Sequence, residues 1–460
     1  MVPARPVLPL LPHPDNQAPP RPPHSLPLPP PPPGYTRTLH ASPAAYPRTL
    51  RGATGNLSRS SHPFRKHPEA SVVGESKDQR KARLNGEAEA CVRLRHGAEY
   101  WTLDEAQASG EPGLWVAVER WKRDKPAGAE QGGVTLVMRN ACGMAADHWQ
   151  PMLHDLMACG PARVQFGTGT PLEDAKPVVI DDIWFLDDPH HHSSLDLNAG
   201  RLGAVHSWTD TGREVINFVE HVLPAVLEAE QAEKEAQVPE TPWGLSWAPS
   251  RTTRPTPVIG VGHSYGGNGV VQAAHARPDL FAGIFLVEPM CIFVNTNTLQ
   301  LGWPLTNAAL RRRDTWPSRA AAAAANRSNP MFGRWNPAVF DLWVSHSLVP
   351  VDPSEPEGAV TLATPTWAEA ATFSDPNALP RGWDKLAELD MPVGFVQAGE
   401  ADMWTAGEKT VNEMVFRTPG ARNERIMEAS HLVVQERPAE LAEAFARFLA
   451  TLKAGWFSKD

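Results

Sequence analysis

The sequence predicts an α/β protein whose mostly parallel sheet is covered by helices on both faces. Three observations lead there. Short β-branched and apolar runs recur at residues 134–138 (Val-Thr-Leu-Val-Met), 183–186 (Ile-Trp-Phe-Leu), 258–261 (Val-Ile-Gly-Val), 284–287 (Ile-Phe-Leu-Val) and 393–396 (Val-Gly-Phe-Val). Such runs suit strands buried on both sides. Amphipathic helical patterns separate them at 211–223, 267–276 and 438–452, and in the last Leu441, Phe445, Phe448, Leu449 and Leu452 line one helical face. Third, 460 residues with 42% hydrophobic content supply a large core. Strands alternating with helices imply βαβ units and hence a parallel sheet.

Taken in order, the chain opens with 15 of its 47 prolines in the first 33 positions, including an unbroken run at 29–33. Proline fixes φ and lacks a backbone donor, so this stretch reads as an extended, solvated tail. It is also basic: over residues 1–66 eight Lys and Arg face Asp15 alone. A Ser/Arg/Lys-rich linker follows, and residues 1–85 together read as a disordered tail and linker. Residues 91–94 and 114–119 alternate apolar and polar side chains, and are expected to form an opening antiparallel pair. The core is expected over 86–288 and 390–460. Residues 225–256 begin as a charged helix and decay into a Pro/Thr/Trp-rich surface insertion. A larger interruption at 289–389 holds Arg311 to Arg313, an alanine run and six tryptophans (Trp303, Trp316, Trp335, Trp343, Trp367, Trp383). With no buried-strand pattern over a hundred residues, it reads as a helical lid or cap subdomain.

Composition excludes several function classes. The net charge is −9, and the excess acid lies beyond the basic tail, which argues against nucleic acid as the main partner. Four separated cysteines (Cys91, Cys142, Cys159, Cys291) contain no C-x-x-C pair, so neither a disulfide scaffold nor a zinc ribbon is expected, and no metal. Apolar runs stop well short of the ~20 residues of a spanning helix, so no transmembrane segment is expected. The N-terminus lacks the basic and apolar regions of a secretory signal, and Ser458-Lys459-Asp460 misses the peroxisomal S-K-L address at its last residue. The expected location is intracellular, cytoplasmic first, with peroxisome and mitochondrion open.

The most informative stretch runs from Val258 to Gly267: a buried strand, then Gly262-His263-Ser264-Tyr265-Gly266, then a helix. A serine displayed on a tight strand-to-helix turn takes strained dihedrals, and the positions two before and two after it must be small for the turn to close. Gly262 and Gly266 meet that need, and Ser264 is the candidate nucleophile. The helix N-terminus aims backbone N–H groups, chiefly that of Tyr265, at a developing oxyanion.

On these residues the chain resembles the α/β-hydrolase superfamily over about residues 112–453, closest to serine esterases and fungal lipase-like and acyl-thioester hydrolases. The resemblance implies an α/β-hydrolase fold with a lid inserted after the strand that follows the nucleophile helix. It implies that His431, in a loop just before the C-terminal helix, is the general base. It also places the oxyanion loop at residues 138–144, with the N–H of Met144 as second donor, although Asn140 stands where histidine is usual. Cys142 beside it reads as a packing residue. Asp187-Asp188-Pro189-His190-His191-His192-Ser193-Ser194 matches the family's Asp-x-x-x-His-Gly-x-Ser at Asp187, His191 and Ser194. Three adjacent histidines rarely converge on one ion, so they read as structural loop residues.

Two carboxylates compete to orient His431 and stabilise its imidazolium. Glu288 ends the strand after the nucleophile helix, and Asp402 follows the 393–397 strand at the family's usual position. Glu288 is preferred, because a carboxylate at a buried strand end is costly unless paired. The cap segments Phe332-Gly333-Arg334-Trp335-Asn336-Pro337 and Val360-Thr361-Leu362-Ala363-Thr364-Pro365 resemble those of the fungal group, some of whose relatives place the acid there. The expected reaction is acyl transfer from a small-molecule ester or thioester to water, with no cofactor. The six tryptophans suit either an apolar or aromatic substrate or the lid's own core, and Arg311 to Arg313 either an acyl-CoA phosphate or a solvated helix face. The rival reading is a catalytically inactive scaffold that binds a ligand or partner.

Overall fold

The structure, a computed structural model, describes residues 7–15, 29–64, 75–124, 133–158, 178–236, 243–249, 256–293, 303–375, 377–400 and 408–456. Its strands are β1 (Tyr35–Pro43), β2 (Thr54–Leu57), β3 (Trp115–Arg123), β4 (Val134–Arg139), β5 (Ile180–Leu186), β6 (Val258–His263), β7 (Gly283–Val287), β8 (Thr315–Trp316), β9 (Leu348–Pro350), β10 (Val360–Leu362), β11 (Val393–Ala398) and β12 (Arg422–Ile426). Eight of them make one sheet in the order β1-β3-β5-β4-β6-β7-β11-β12. Pairing is antiparallel from β1 through β3 to β5 and parallel from β5 onward.

Alternate residues of each central strand serve opposite faces, as a two-residue period requires. Leu136, Met138, Ile259, Val261, Phe285 and Val287 pack on one side against the helices Gln150–Ala158 and Pro438–Trp456. Val137, Val258, Ile284 and Leu286 pack on the other with residues of Trp208–Asn217 and Tyr265–Ala276. The helical stripe expected at 438–452 is buried as expected, with Phe445 stacked on Phe285 at a centroid distance of 4.4 Å.

Two expectations for the N-terminal half are corrected. Residues 35–43, read as part of a structureless tail, form β1, which pairs along its whole length with β3. Its polar residues hid it: Arg37 is buried because its guanidinium meets Glu119 (2.7 Å) and Asp147 (2.6 Å), partners far along the chain. The outer edge of β1 is covered in turn, where Ala41 N–H donates to Trp243 O (2.7 Å) and Leu245 N–H to Ala41 O (2.8 Å). Residues 91–94, read as a strand, lie in the helix Lys77–Gly97. Buried Leu84, Ala88, Cys91, Val92 and Arg95 follow helical spacing over a longer window than the four-residue alternation, and a Ser76/Gln79 capping box starts the helix. The 115–123 strand therefore pairs with β1 on one side and β5 on the other.

Among its described residues, the segment between β7 and β11, expected to be helical, holds six helices and also a three-stranded antiparallel sheet in the order β8-β10-β9. Strands of two or three residues are too short to print a pattern on the sequence. Trp316, Trp335 and Trp343 form a small core of their own with Val339 and Phe340, while Trp367 and Trp383 join the main core.

Candidate active site

The turn from β6 into the helix Tyr265–Ala276 places Ser264 at φ 55°, ψ −118°, a conformation costly for any residue with a side chain. The surroundings enforce it. A Cβ at Gly262 would stand 2.6 Å from Gly267 Cα, and one at Gly266 would stand 2.5 Å from Asn140 O, so the turn closes only with glycine at both places. Ser264 N–H donates to Val287 O (2.9 Å), and Ser264 O accepts from Met290 N–H (3.0 Å), which fixes the turn to the end of β7.

Glu288, directly after β7, also has a positive φ, 45°. Its N–H donates to Val396 O (2.9 Å) and its Oε1 accepts from Ala398 N–H (2.6 Å), so β11 holds both its backbone and its carboxylate. The second oxygen, Oε2, lies 3.1 Å from His431 Nδ1, and His431 Nε2 lies 2.8 Å from Ser264 Oγ. With Nδ1–H given to the carboxylate, Nε2 is left to accept the serine proton. Glu288 is 1% exposed, so its carboxyl group is held away from water beside this imidazole. The other acid weighed above, Asp402, lies outside the described residues.

Residues 181–444 match the alpha/beta hydrolase family. The chain belongs to that family. By structure this α/β-hydrolase is similar to the peroxisomal alpha-beta-hydrolase of Saccharomyces cerevisiae, with a TM-score of 0.59 at 14% identity over 91% of this chain and 90% of that one. By sequence it is similar to a type I acyl-CoA thioesterase of Penicillium roqueforti, 25% identical over 48% of this chain. That match covers 40% of the thioesterase's own length. An abhydrolase domain-containing protein of Alternaria alternata is 26% identical over 44% of this chain and 84% of its own.

The two backbone N–H groups expected to face an oxyanion differ in their surroundings. Tyr265 is the first residue of its helix, so its N–H has no carbonyl to meet within the helix. Met144 N–H, expected as the second donor, instead donates to Ala141 O (3.0 Å) and closes the turn 141–144. Gly143, at φ 74°, turns that loop against the side chain of Glu369 from the insertion. Cys142 is buried with Sγ 3.6 Å from His191 Nε2, and burial pushes its thiol well above the usual range. It is inert packing at neutral pH.

The histidine-rich loop packs beneath this turn. Burial alone would raise Asp188, but Arg139 at 2.5 Å, with His191 and His206, outweighs it and holds the carboxyl below its ordinary range. Burial pushes His190 and His191 down, so both stay neutral. No group of three metal-binding side chains occurs among the described residues. Tyr265 is anchored on the same side by His206 Nε2 (2.7 Å) and Thr211. A cavity of about 120 Å³ between the insertion and the strand ends is lined by Asn140, Asp147, Asp187, His192 and His346, and borders neither Ser264 nor His431.

Sequence reasoning missed two supports of the His431 loop. His263, read only as the variable residue of the motif, lies with Nε2 2.9 Å from His431 O; burial, with His431 beside it, pushes its pKa down to about 3, so it is neutral and donates. Glu436 accepts Ser430 N–H (2.8 Å) and Oγ–H (2.7 Å). Neither carries a spacing signature. Of the three arginines weighed for phosphate, Arg312 pairs with buried Glu369 and Arg313 Nε donates to Thr315 O (2.8 Å). Among the described residues no helix is long and apolar enough to cross a membrane.

Proposed function

We propose that the protein is a serine hydrolase that cleaves a carboxylic ester or thioester of an apolar acyl or aromatic group through an acyl-enzyme. The observation that carries this reading is the hydrogen-bonded chain from Ser264 Oγ through His431 to Glu288. Ser264 Oγ attacks the carbonyl carbon while His431 Nε2 takes its proton, and the imidazolium is stabilised by the Glu288 carboxylate. Tyr265 N–H, with a donor from the 141–144 turn, holds the oxyanion. The intermediate collapses as His431 returns the proton to the leaving thiol or alcohol. Water, activated by the same imidazole, then releases the acid and frees Ser264.

The insertion acts as a lid in this reading, since it reaches both sides of the site. Asn336 N–H donates to Gln435 O (2.8 Å) near the base, and Glu369 abuts Gly143 in the oxyanion turn. The similarity to an acyl-CoA thioesterase favours thioesters over oxygen esters. Hydrolysis of acyl-CoA thioesters and p-nitrophenyl esters of graded chain length, by wild type and Ser264→Ala, tests the reading. Turnover by wild type that falls to background in Ser264→Ala is the expected result. Equal background rates in both would leave a scaffold without catalysis.

A further inference from the structure

We propose that Arg334 is a positioning residue for the base: it ties the insertion to the loop of His431 and so sets the imidazole against Ser264. The inference rests on the hydrolase reading above. Arg334 lies between the helices Pro330–Gly333 and Pro337–His346 of the insertion, yet its guanidinium reaches three points outside it. Nη1 meets Glu400 Oε2 at 2.7 Å, Nε meets Glu436 Oε1 at 3.2 Å, and Nη2 lies 3.4 Å from Glu428 O. Glu400 follows β11, the strand that holds Glu288. Glu428 and Glu436 bracket His431.

Glu436 transmits the constraint. Its side chain is 2% exposed, and the two oxygens that face Arg334 also accept the N–H and Oγ–H of Ser430, the residue before His431. A buried carboxylate that accepts from two neutral donors is held in place by the cation that faces it. Without the guanidinium, nothing holds the Glu436 carboxylate on this side of the loop, and it turns toward water. Ser430 then loses one or both of its acceptors, and the loop that sets the 2.8 Å contact of His431 with Ser264 relaxes. The insertion is braced against the same loop next door, where Asn336 caps the helix Pro337–His346 through its side chain and gives its N–H to Gln435 O. Arginine suits the task because its planar fork engages two carboxylates at once, which an ammonium cannot reproduce with the same geometry.

The test uses the full chain and three variants, Arg334→Ala, Arg334→Lys and Glu436→Gln, with the double variant Arg334→Ala/Glu436→Gln. Three quantities are read: kcat and KM, the rate at which a small fluorophosphonate labels Ser264, and the thermal midpoint. A base displaced by a fraction of an ångström costs on the order of 10- to 100-fold in rate. Arg334→Ala is expected to lose that factor in kcat and in labelling, with KM within about 2-fold of wild type, while Arg334→Lys recovers part of both. Glu436→Gln is expected to fall alongside it, and the double variant no further than the worse single variant, as members of one unit behave. A rise in KM with unchanged kcat and labelling overturns the proposal, because Arg334 would then only cover the substrate. Multiplying losses in the double variant overturn it as well. Should Arg334→Ala unfold, Arg334→Lys carries the test: wild-type kcat and labelling in it overturn the proposal. If wild type itself neither hydrolyses nor labels, the hydrolase reading falls and this inference with it.

Discussion

Glu288→Gln is nearly isosteric, so it removes charge with little change of volume. In the wild type, Oε1 accepts Ala398 N–H at 2.6 Å and Oε2 faces His431 Nδ1 at 3.1 Å. An amide offers one acceptor and one donor to those two donors. If its oxygen stays on Ala398, its NH2 faces Nδ1, which then must accept; the ring proton moves to Nε2 and His431 cannot take the serine proton. If the amide turns over, Ala398 N–H is left facing a donor at a buried site, a cost of about 1–3 kcal/mol. Either way the charge that stabilises the imidazolium is gone, and the loss in serine hydrolases with a neutralised acid is about 10⁴ in kcat. The expected result here is a loss of about 10³ to 10⁴ in kcat, with a small change in KM. The assay is steady-state hydrolysis of whichever ester or thioester the wild type turns over best, run beside Asp402→Asn. Activity of Glu288→Gln within about 3-fold of wild type, with collapse in Asp402→Asn, would refute the assignment.

Phe445→Ala, at a fully buried ring stacked on Phe285, is expected to lower unfolding free energy by about 3–5 kcal/mol in urea titration, and a loss below about 1 kcal/mol would contradict the packing. A chain starting at residue 88 lacks β1 and leaves Glu119 and Asp147 without Arg37, a loss of about 3–5 kcal/mol on top of an exposed β3 edge. It should fail to give a native circular dichroism spectrum, and a folded, active product would show that β1 is dispensable. Burial depresses His148 and His263 to about 3 and His206 to about 4, below the unfolded value, so unfolding takes up protons once pH falls below about 6.5 and stability drops. Glu119, raised to about 7 by burial, acts in the opposite direction between its unfolded value and pH 7. The net from these four groups near pH 5.5 is about two protons, or about 2.7 kcal/mol per pH unit. His148→Gln should lower the measured slope by about one proton, or ~1.4 kcal/mol per pH unit, and a flat stability profile from pH 6.5 to 5 would refute the account.

Much of this architecture is legible in the chain because its signals are local. Buried strands print uninterrupted apolar runs, the C-terminal helix prints its stripe, and the turn at Ser264 demands glycine two residues to either side whatever surrounds it. His431 was proposed the same way, through the loop and helix around it in sequence. Other features depend on which strands become neighbours, and no window of sequence holds that information. The sequence favoured Glu288 over Asp402 only slightly, both being acids after strands; the pairing of β7 with β11 is what gives Glu288 its Val396 and Ala398 contacts and sets its carboxylate on His431. The strand β1 was invisible because Arg37 is tolerable inside only when Glu119 and Asp147, 82 and 110 residues away, close on it. Likewise Met144 kept its N–H free in the sequence and gave it to Ala141 in the fold, while Arg334 acquired its three partners only when the insertion settled beside the base loop. Periodicity and backbone sterics act between near neighbours and can be read in one dimension. Charge pairing and strand adjacency join residues a hundred positions apart, and only the tertiary structure decides them.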